Sequence, residues 1–227
     1  MASKILIPQL HPGNHIFPNP SEASSEGLLA WGGDLHPERL LAAYTQGIFP
    51  WFNENDPILW WSPNPRAILF PSDIKISKSL SKSMNHFEIR YDTCFETVMR
   101  ECLNVRLEKG LNSWITKPLI KAFVELHEKG FAHSVETYHD GQLVGGLYGL
   151  YLGGMFCGES MFSRKTDASK SAMVGLCRKV QHLGGDFIDC QLPTPHLCSM
   201  GAIEIDRDAF LEKVRFTLEK EHMQEWR

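Results

Sequence analysis

The chain has 227 residues, 43% of them hydrophobic and 22% charged, with a formal net charge of −4. That is enough apolar material for one large domain, or one domain with a small partner, and it excludes a disordered chain. The mildly negative balance also excludes a general polyanion binder, so any nucleic acid must be gripped by a local basic patch.

Met1 to Leu10 has neither a basic start nor a long apolar run, so no secretory signal is expected. No stretch approaches the roughly 18 apolar residues that a membrane span requires. The cysteines Cys94, Cys102, Cys157, Cys177, Cys190 and Cys198 contain no C-x-x-C pair. They are expected as reduced, mostly buried thiols, with no metal site, in a cytoplasmic protein.

Up to Pro65 the sequence is crowded with prolines and aromatics. Asp34 is placed to cap a short helix from about Pro37 to Gln46, and Gly47 to end it. Leu40, Leu41 and Tyr44 then share one face. The runs Ile48-Phe49-Pro50-Trp51-Phe52 and Ile58-Leu59-Trp60-Trp61 follow. A small N-terminal domain over residues 1–65, docking through aromatics, is the expectation.

From Arg66 the pattern changes, and residues 66–227 are expected to form a second, larger domain. Strands are predicted over 67–70 and 87–91, and helices over 95–108 and 117–129, with Gly110 and Gly130 just past their ends. Three strands follow, over 132–138, 143–150 and 155–162, joined by hairpin turns at Asp140-Gly141 and Gly153-Gly154. A helix over 168–183, a short buried strand over 187–189 and a helix over 208–219 complete the chain. The predicted class is α+β with a mixed, largely antiparallel sheet.

Several blocks occur in order. They are Glu26 to Leu35 (EGLLAWGGDL), Gly47 to Phe52 (GIFPWF), Trp60 to Arg66 (WWSPNPR), Ala132 to Glu136 (AHSVE), Leu143 to Gly149 (LVGGLYG), Phe156 to Ser163 (FCGESMFS) and Ile188 to Gln191 (IDCQ). This series resembles the bacterial leucyl/phenylalanyl-tRNA–protein transferase family across nearly the whole chain. The resemblance implies a small N-terminal domain on a larger domain of the GNAT acyltransferase type. It also implies transfer of Leu, or less efficiently Phe, from aminoacyl-tRNA to proteins that begin with Arg or Lys, which marks them for degradation. No cofactor is implied. Methionine is an expected further substrate, and a monomer the expected state.

An aminoacyl ester is already activated, so a free amine can attack it directly once the two are held in line. Asp189-Cys190-Gln191 follows the apolar pair Phe187-Ile188, which places polar groups at the end of a buried strand. On regular strand alternation Asp189 and Gln191 point to one face. Gln191 can accept a hydrogen bond from the amine, while Asp189 orients it or takes up the proton through water. The alternative is that Asp189 caps a turn and Gln191 is structural. Glu159 stands in an otherwise apolar run and needs a partner or a task. Either it binds a substrate amine, as the resemblance favours, or it forms an ion pair with an arginine.

By family match the amino-acid pocket comprises Trp51, Trp114, Phe123, Leu147, Met161, Phe162 and Ile188, each of which also suits plain core. Methionine repacks easily, which fits a pocket that takes both branched and aromatic side chains. For the RNA acceptor end, Lys75, Lys78 and Lys82 recur at helical spacing with serines between them. Arg66 and Arg164 are expected to extend that path; a merely solvated charged face is the alternative. A serine hydrolase is not expected, because no G-x-S-x-G elbow is present. Two rivals remain. An acyl-CoA N-acyltransferase would need a glycine-rich pyrophosphate loop, and Ser163 to Ser169 has no glycine. A module that only binds tRNA or N-termini would not need Asp189, Gln191 and Glu159 in one cleft.

Overall fold

Residues 7–220 and Trp226 are described by a computed structural model. The first part contains β1 (Gln9–Leu10), β2 (Leu28–Gly32), α1 (Pro37–Tyr44), β3 (Phe49–Pro50) and β4 (Leu59–Trp61). Then come β5 (Arg66–Leu69), α2 (Lys78–Met84), β6 (Glu88–Tyr91), α3 (Phe95–Glu108), α4 (Lys117–Glu128), β7 (Ala132–His139), β8 (Gln142–Leu152) and β9 (Met155–Ser163). The order ends with α5 (Ala168–His182), β10 (Phe187–Gln191), α6 (Pro195–Ser199), β11 (Ile203–Ile205) and α7 (Arg207–Glu219).

Two sheets result. The small one is four-stranded in the order β1-β2-β4-β3, and the large one is seven-stranded in the order β11-β5-β10-β9-β8-β7-β6. Hairpins dominate the large sheet because its turns are encoded locally. Asp140 and Gly141 both adopt positive φ, 50° and 75°, as a two-residue turn with the right twist requires. The α+β class, with a largely antiparallel sheet, is as predicted.

Along β8, consecutive side chains serve opposite faces of the sheet. Tyr148 and Leu150 join Val98, Met99, Leu119 and Phe123 in the core under α3 and α4. Leu147 joins Ala172, Leu176 and Ile188 in the core under α5. The first of these clusters continues into Leu29, Leu40, Tyr44 and Trp60, so α1 and the small sheet share its core. Complete burial of Trp60 and Phe123 contributes about 2–3 kcal/mol each.

The expected cap of α1 is corrected. His36 is the N-cap and makes no side-chain capping bond. Asp34 instead accepts hydrogen bonds from His36 N (3.0 Å) and from Arg39 Nε (3.1 Å). Two helical turns end one residue before the C-cap Thr45, and Gly47 at φ 72° redirects the chain. The short elements α6 and β11 have no counterpart among the predicted strands and helices, because each is too brief for periodicity to register; α2 carries Lys78 and Lys82 of the helically spaced lysines, while Lys75 precedes it.

Gly149 and Gly158 face each other across β8 and β9, yet they tolerate substitution differently. A Cβ on Gly149 would stand 2.1 Å from the Cys157 carbonyl oxygen, whereas one on Gly158 would meet nothing nearer than Asp189 O at 3.5 Å. Gly149→Ala is therefore expected to lose about 3 kcal/mol or more by backbone overpacking, and Gly158→Ala less than about 1 kcal/mol. Urea unfolding midpoints of the two variants check the contrast; equal losses would refute it.

Candidate active site

Every neighbouring pair in the large sheet is antiparallel except β9 with β10. Their parallel pairing matches Phe187 with Met155, Ile188 with Phe156 and Asp189 with Cys157. Both strands then bulge. In β9, Tyr148 pairs with Ser160 but Gly149 pairs with Gly158, which leaves Glu159 as the extra residue. In β10, Asp189 pairs with Ile68 but Gln191 with Ala67, so Cys190 is the extra residue. A bulge bends its strand and re-aims the side chains beside it. Two bulges at the same end of adjacent strands make the sheet part there.

A cavity of about 400 Å³ is lined by residues on both sides of this opening. Leu147, Phe156, Met173, Leu176 and Ile188, all from the core under α5, form an apolar wall, and Met161 adds to it. Trp51 and Trp114 also line the cavity, with ring centroids 6.4 Å apart and edge to face. Arg106 stacks its guanidinium 4.4 Å from the Trp114 ring centre. Glu159, Asp189 and Gln191 complete the polar side.

Glu159 is 7% exposed. Its Oε1 accepts hydrogen bonds from Tyr44 Oη at 2.6 Å and from Gln191 Nε2 at 2.7 Å. Burial raises its pKa to about 7; the Asp189 charge adds to the rise, while the two hydrogen bonds and Arg66 oppose it. Tyr44, buried beside this carboxylate, has a pKa well above the ordinary phenol range and stays a donor. Among the described residues no hydrogen bond occupies Glu159 Oε2.

Asp189 is 1% exposed, as is Arg66. Arg66 Nε donates to Asp189 Oδ1 at 2.8 Å and Nη2 to Oδ2 at 2.6 Å, a bidentate pair. Arg66 Nη1 reaches the Gly47 carbonyl at 3.2 Å, and the guanidinium lies between the rings of Phe49 and Phe210. Gln191 N also donates to Asp189 Oδ1, at 2.9 Å, which holds Gln191 at φ 61°. Regular alternation of Asp189 and Gln191 is therefore corrected: across the bulge, Asp189 turns to Arg66 and Gln191 to Glu159.

Of the expected pocket residues, Trp51, Trp114, Leu147, Met161 and Ile188 line the cavity. Phe123 and Phe162 do not; both are core residues, and Phe123 packs edge-on against Tyr44 and Tyr148. Among the basic residues, Lys75, Lys78 and Lys82 are exposed, and no carboxylate among the described residues pairs with them. Arg66 is corrected: sealed against Asp189, it presents nothing to a phosphate. Arg164, partly exposed, is paired with Glu101 and Glu108. Tyr44, Tyr148, Arg106 and Met173 were not singled out for the site. For Tyr44 one signal existed, since a phenol on the buried face of a helix needs a polar partner.

One cluster among the described residues has metal-ligand spacing, Asp92 with His127 and His133. It lies outside the cavity lining, and its atoms are engaged: His133 Nδ1 lies 2.8 Å from Asp92 Oδ2, and Nε2 lies 3.0 Å from the Gly130 carbonyl.

The family described as leucyl/phenylalanyl-tRNA protein transferase matches residues 68–215, and its N-terminal domain matches residues 33–64. A leucyl/phenylalanyl-tRNA–protein transferase from Sulfurimonas denitrificans is 53% identical over 209 residues, covering 92% of each chain. Two solved structures share less with this chain. The C-terminal domain of a putative lysylphosphatidylglycerol synthetase from Agrobacterium fabrum has a TM-score of 0.43 at 9% identity, over 75% of this chain and 56% of that one. A GCN5-related N-acetyltransferase-like protein from Streptococcus suis has a TM-score of 0.33 at 13% identity, over 72% of this chain and 61% of that one.

The buried ion pair generates a stability prediction. Arg66→Met strands the Asp189 charge and is expected to cost about 3–5 kcal/mol. Adding Asp189→Asn removes that stranded charge, so the double variant should be more stable than Arg66→Met alone. Urea denaturation of the two variants tests this, and a double variant weaker than the single one would refute it.

Proposed function

The chain belongs to the leucyl/phenylalanyl-tRNA–protein transferase family, and on that premise we propose that it moves leucine, and also phenylalanine and methionine, from aminoacyl-tRNA to the N-terminal amine of proteins that begin with Arg or Lys. It does so as a cytoplasmic monomer, and the product is marked for degradation. The observation that carries this reading is one cavity of about 400 Å³ in which an apolar wall adjoins Glu159 and Gln191.

The amine nitrogen attacks the ester carbonyl carbon, and a tetrahedral intermediate then expels the ribose oxygen. Positioning contributes most of the effect, because the ester needs no further activation. Gln191 gives its Nε2 to Glu159, which leaves Oε1 of the same amide to accept a hydrogen bond from the attacking amine. Glu159 Oε2 takes the proton, a task suited to a carboxyl whose pKa is about 7. Asp189, with both oxygens held by Arg66, is a positioning residue that fixes the Gln191 backbone. Residues 1–65, as a small domain, contribute Tyr44 and Trp51 to this site.

Lys75, Lys78 and Lys82 form the RNA contact. Lys78 and Lys82 ride on α2, whose N-cap Ser77 accepts from Leu80 N at 3.1 Å. Four residues apart on one helix, the two lysines can meet neighbouring phosphates of the acceptor end.

The test is transfer of labelled leucine from leucyl-tRNA to peptides that begin with Arg, Lys or Ala, with acetyl-CoA as the competing donor. Product on Arg and Lys peptides alone supports the reading, and acetyl transfer would overturn it. The pH profile is more specific. Below pH 7 both Glu159 and the α-amine must lose a proton, so the single-turnover rate should rise with a log slope near two. Glu159→Gln should cut the rate and reduce that slope to about one, the part due to an α-amine of pKa about 8. An unchanged slope would remove Glu159 from the proton path. For the RNA, Lys78→Ala with Lys82→Ala should weaken leucyl-tRNA binding and lower the magnitude of its salt slope by about two; an unaltered slope would move the RNA elsewhere.

A further inference from the structure

Two side chains lining the cavity carry a buried polar atom with no hydrogen-bond partner among the described residues, His196 at Nε2 and Tyr148 at its hydroxyl, and of the two Tyr148 is the one beside Glu159. Tyr148 is fully buried and lines the cavity, and its hydroxyl has no hydrogen-bond partner among the described residues. The ring is fixed edge-on by Phe95 and Phe123, at centroid distances of 6.1 and 5.7 Å. Its hydroxyl interacts electrostatically with Glu159 and Arg106, which line the same cavity. Nearly every buried hydroxyl in a folded protein is paired, because leaving one unmade forfeits its hydration without return. A phenylalanine would fill the same space without that penalty. No described residue supplies the acceptor, and the cavity is where one can enter.

The position narrows what that acceptor is. The apolar wall takes an amino-acid side chain, and Glu159 receives the attacking amine. A hydroxyl beside Glu159 that keeps its proton, as burial ensures here, is a donor without an acceptor. At this point of the cavity, the substrate atom that gains negative charge during reaction is the ester carbonyl oxygen.

Resting on the transfer reading above, we propose that Tyr148 Oη donates a hydrogen bond to the carbonyl oxygen of the aminoacyl ester and holds it as it becomes an oxyanion. The new C–N bond pushes the carbonyl π pair onto that oxygen, opposite the Tyr148 O–H. When the pair returns, the bond from the carbonyl carbon to the ribose oxygen breaks. The ribose oxygen leaves with its electrons and takes the proton that the amine gave to Glu159. Tyr148 keeps its own proton throughout. A donor fixed in a dry wall stabilises developing charge far better than water does, because it does not reorganise during the step.

Tyr148→Phe removes only this oxygen. At saturating leucyl-tRNA its single-turnover rate is expected to fall roughly 10- to 100-fold. Binding of leucyl-tRNA should change by no more than about threefold, since the ground-state carbonyl carries little charge. The thermal midpoint should stay level or rise, a result that a structural hydroxyl would not give. An undiminished rate overturns the proposal. So does a loss lying wholly in binding, which would assign the hydroxyl to the ribose, or a midpoint lowered by several degrees, which would mean an internal partner. A parent protein that transfers no leucine sinks the functional reading and this proposal together; an active parent with an equally fast variant sinks this proposal alone.

Discussion

The Arg66–Asp189 pair is the constraint around which the site is arranged. Two full charges taken out of water cost several kcal/mol each before their attraction and hydrogen bonds offset it, so such a pair adds little net stability. Its value is positional. Arg66 touches Phe49 after α1, the Gly47 carbonyl and Phe210 of α7, while it grips β10 through Asp189. Three segments far apart in the chain are thus referred to one guanidinium. Through the second acceptor role of Asp189 Oδ1, the same contact pins the Gln191 backbone in a left-handed conformation that a free glutamine rarely adopts.

The bulges follow from this. A regular β10 would continue its ladder beside β9 and close the sheet, leaving no room for a substrate. With Cys190 and Glu159 as unpaired extra residues, each strand turns away just beyond the matched pair Asp189 and Cys157. The opening then exposes the layer between the two cores. Of the lining residues, Tyr148 comes from one core, and Leu147, Phe156 and Leu176 from the other. One side of the cavity is consequently apolar and the other carries hydroxyl, carboxyl and amide groups.

This division explains what could be read from the sequence. Helices α3 and α4 and the three central hairpin strands depend on local periodicity and turn chemistry, and they lie within a residue or two of expectation. Exposed Lys78 and Lys82 were legible for the same reason, since helical spacing decides which face a side chain takes. Arg66 was not. A lone arginine after a proline-rich stretch carries no mark of a partner 123 positions later. Nor does residue type separate Phe162, a core residue, from Met161 beside it in the cavity wall: alternation sends the two to opposite faces, but which face opens onto a cavity is set by packing from distant segments. Long-range pairing decided each of these cases, and one sequence does not display it.

The state of the Glu159 carboxyl also belongs to the whole molecule. Burial alone would drive Glu159 higher than its pKa of about 7, and the hydrogen bonds from Tyr44 and Gln191 hold it there. Tyr44 comes from α1, 115 positions away, and Gln191 stands where the Arg66–Asp189 pair puts it. A carboxyl that titrates near neutrality is thus produced by two opposing effects, burial and hydrogen bonding, neither of which β9 supplies by itself. Helix α1 thereby helps to set the protonation state of Glu159: without the Tyr44 hydroxyl, the same glutamate in the same cavity would hold its proton more tightly.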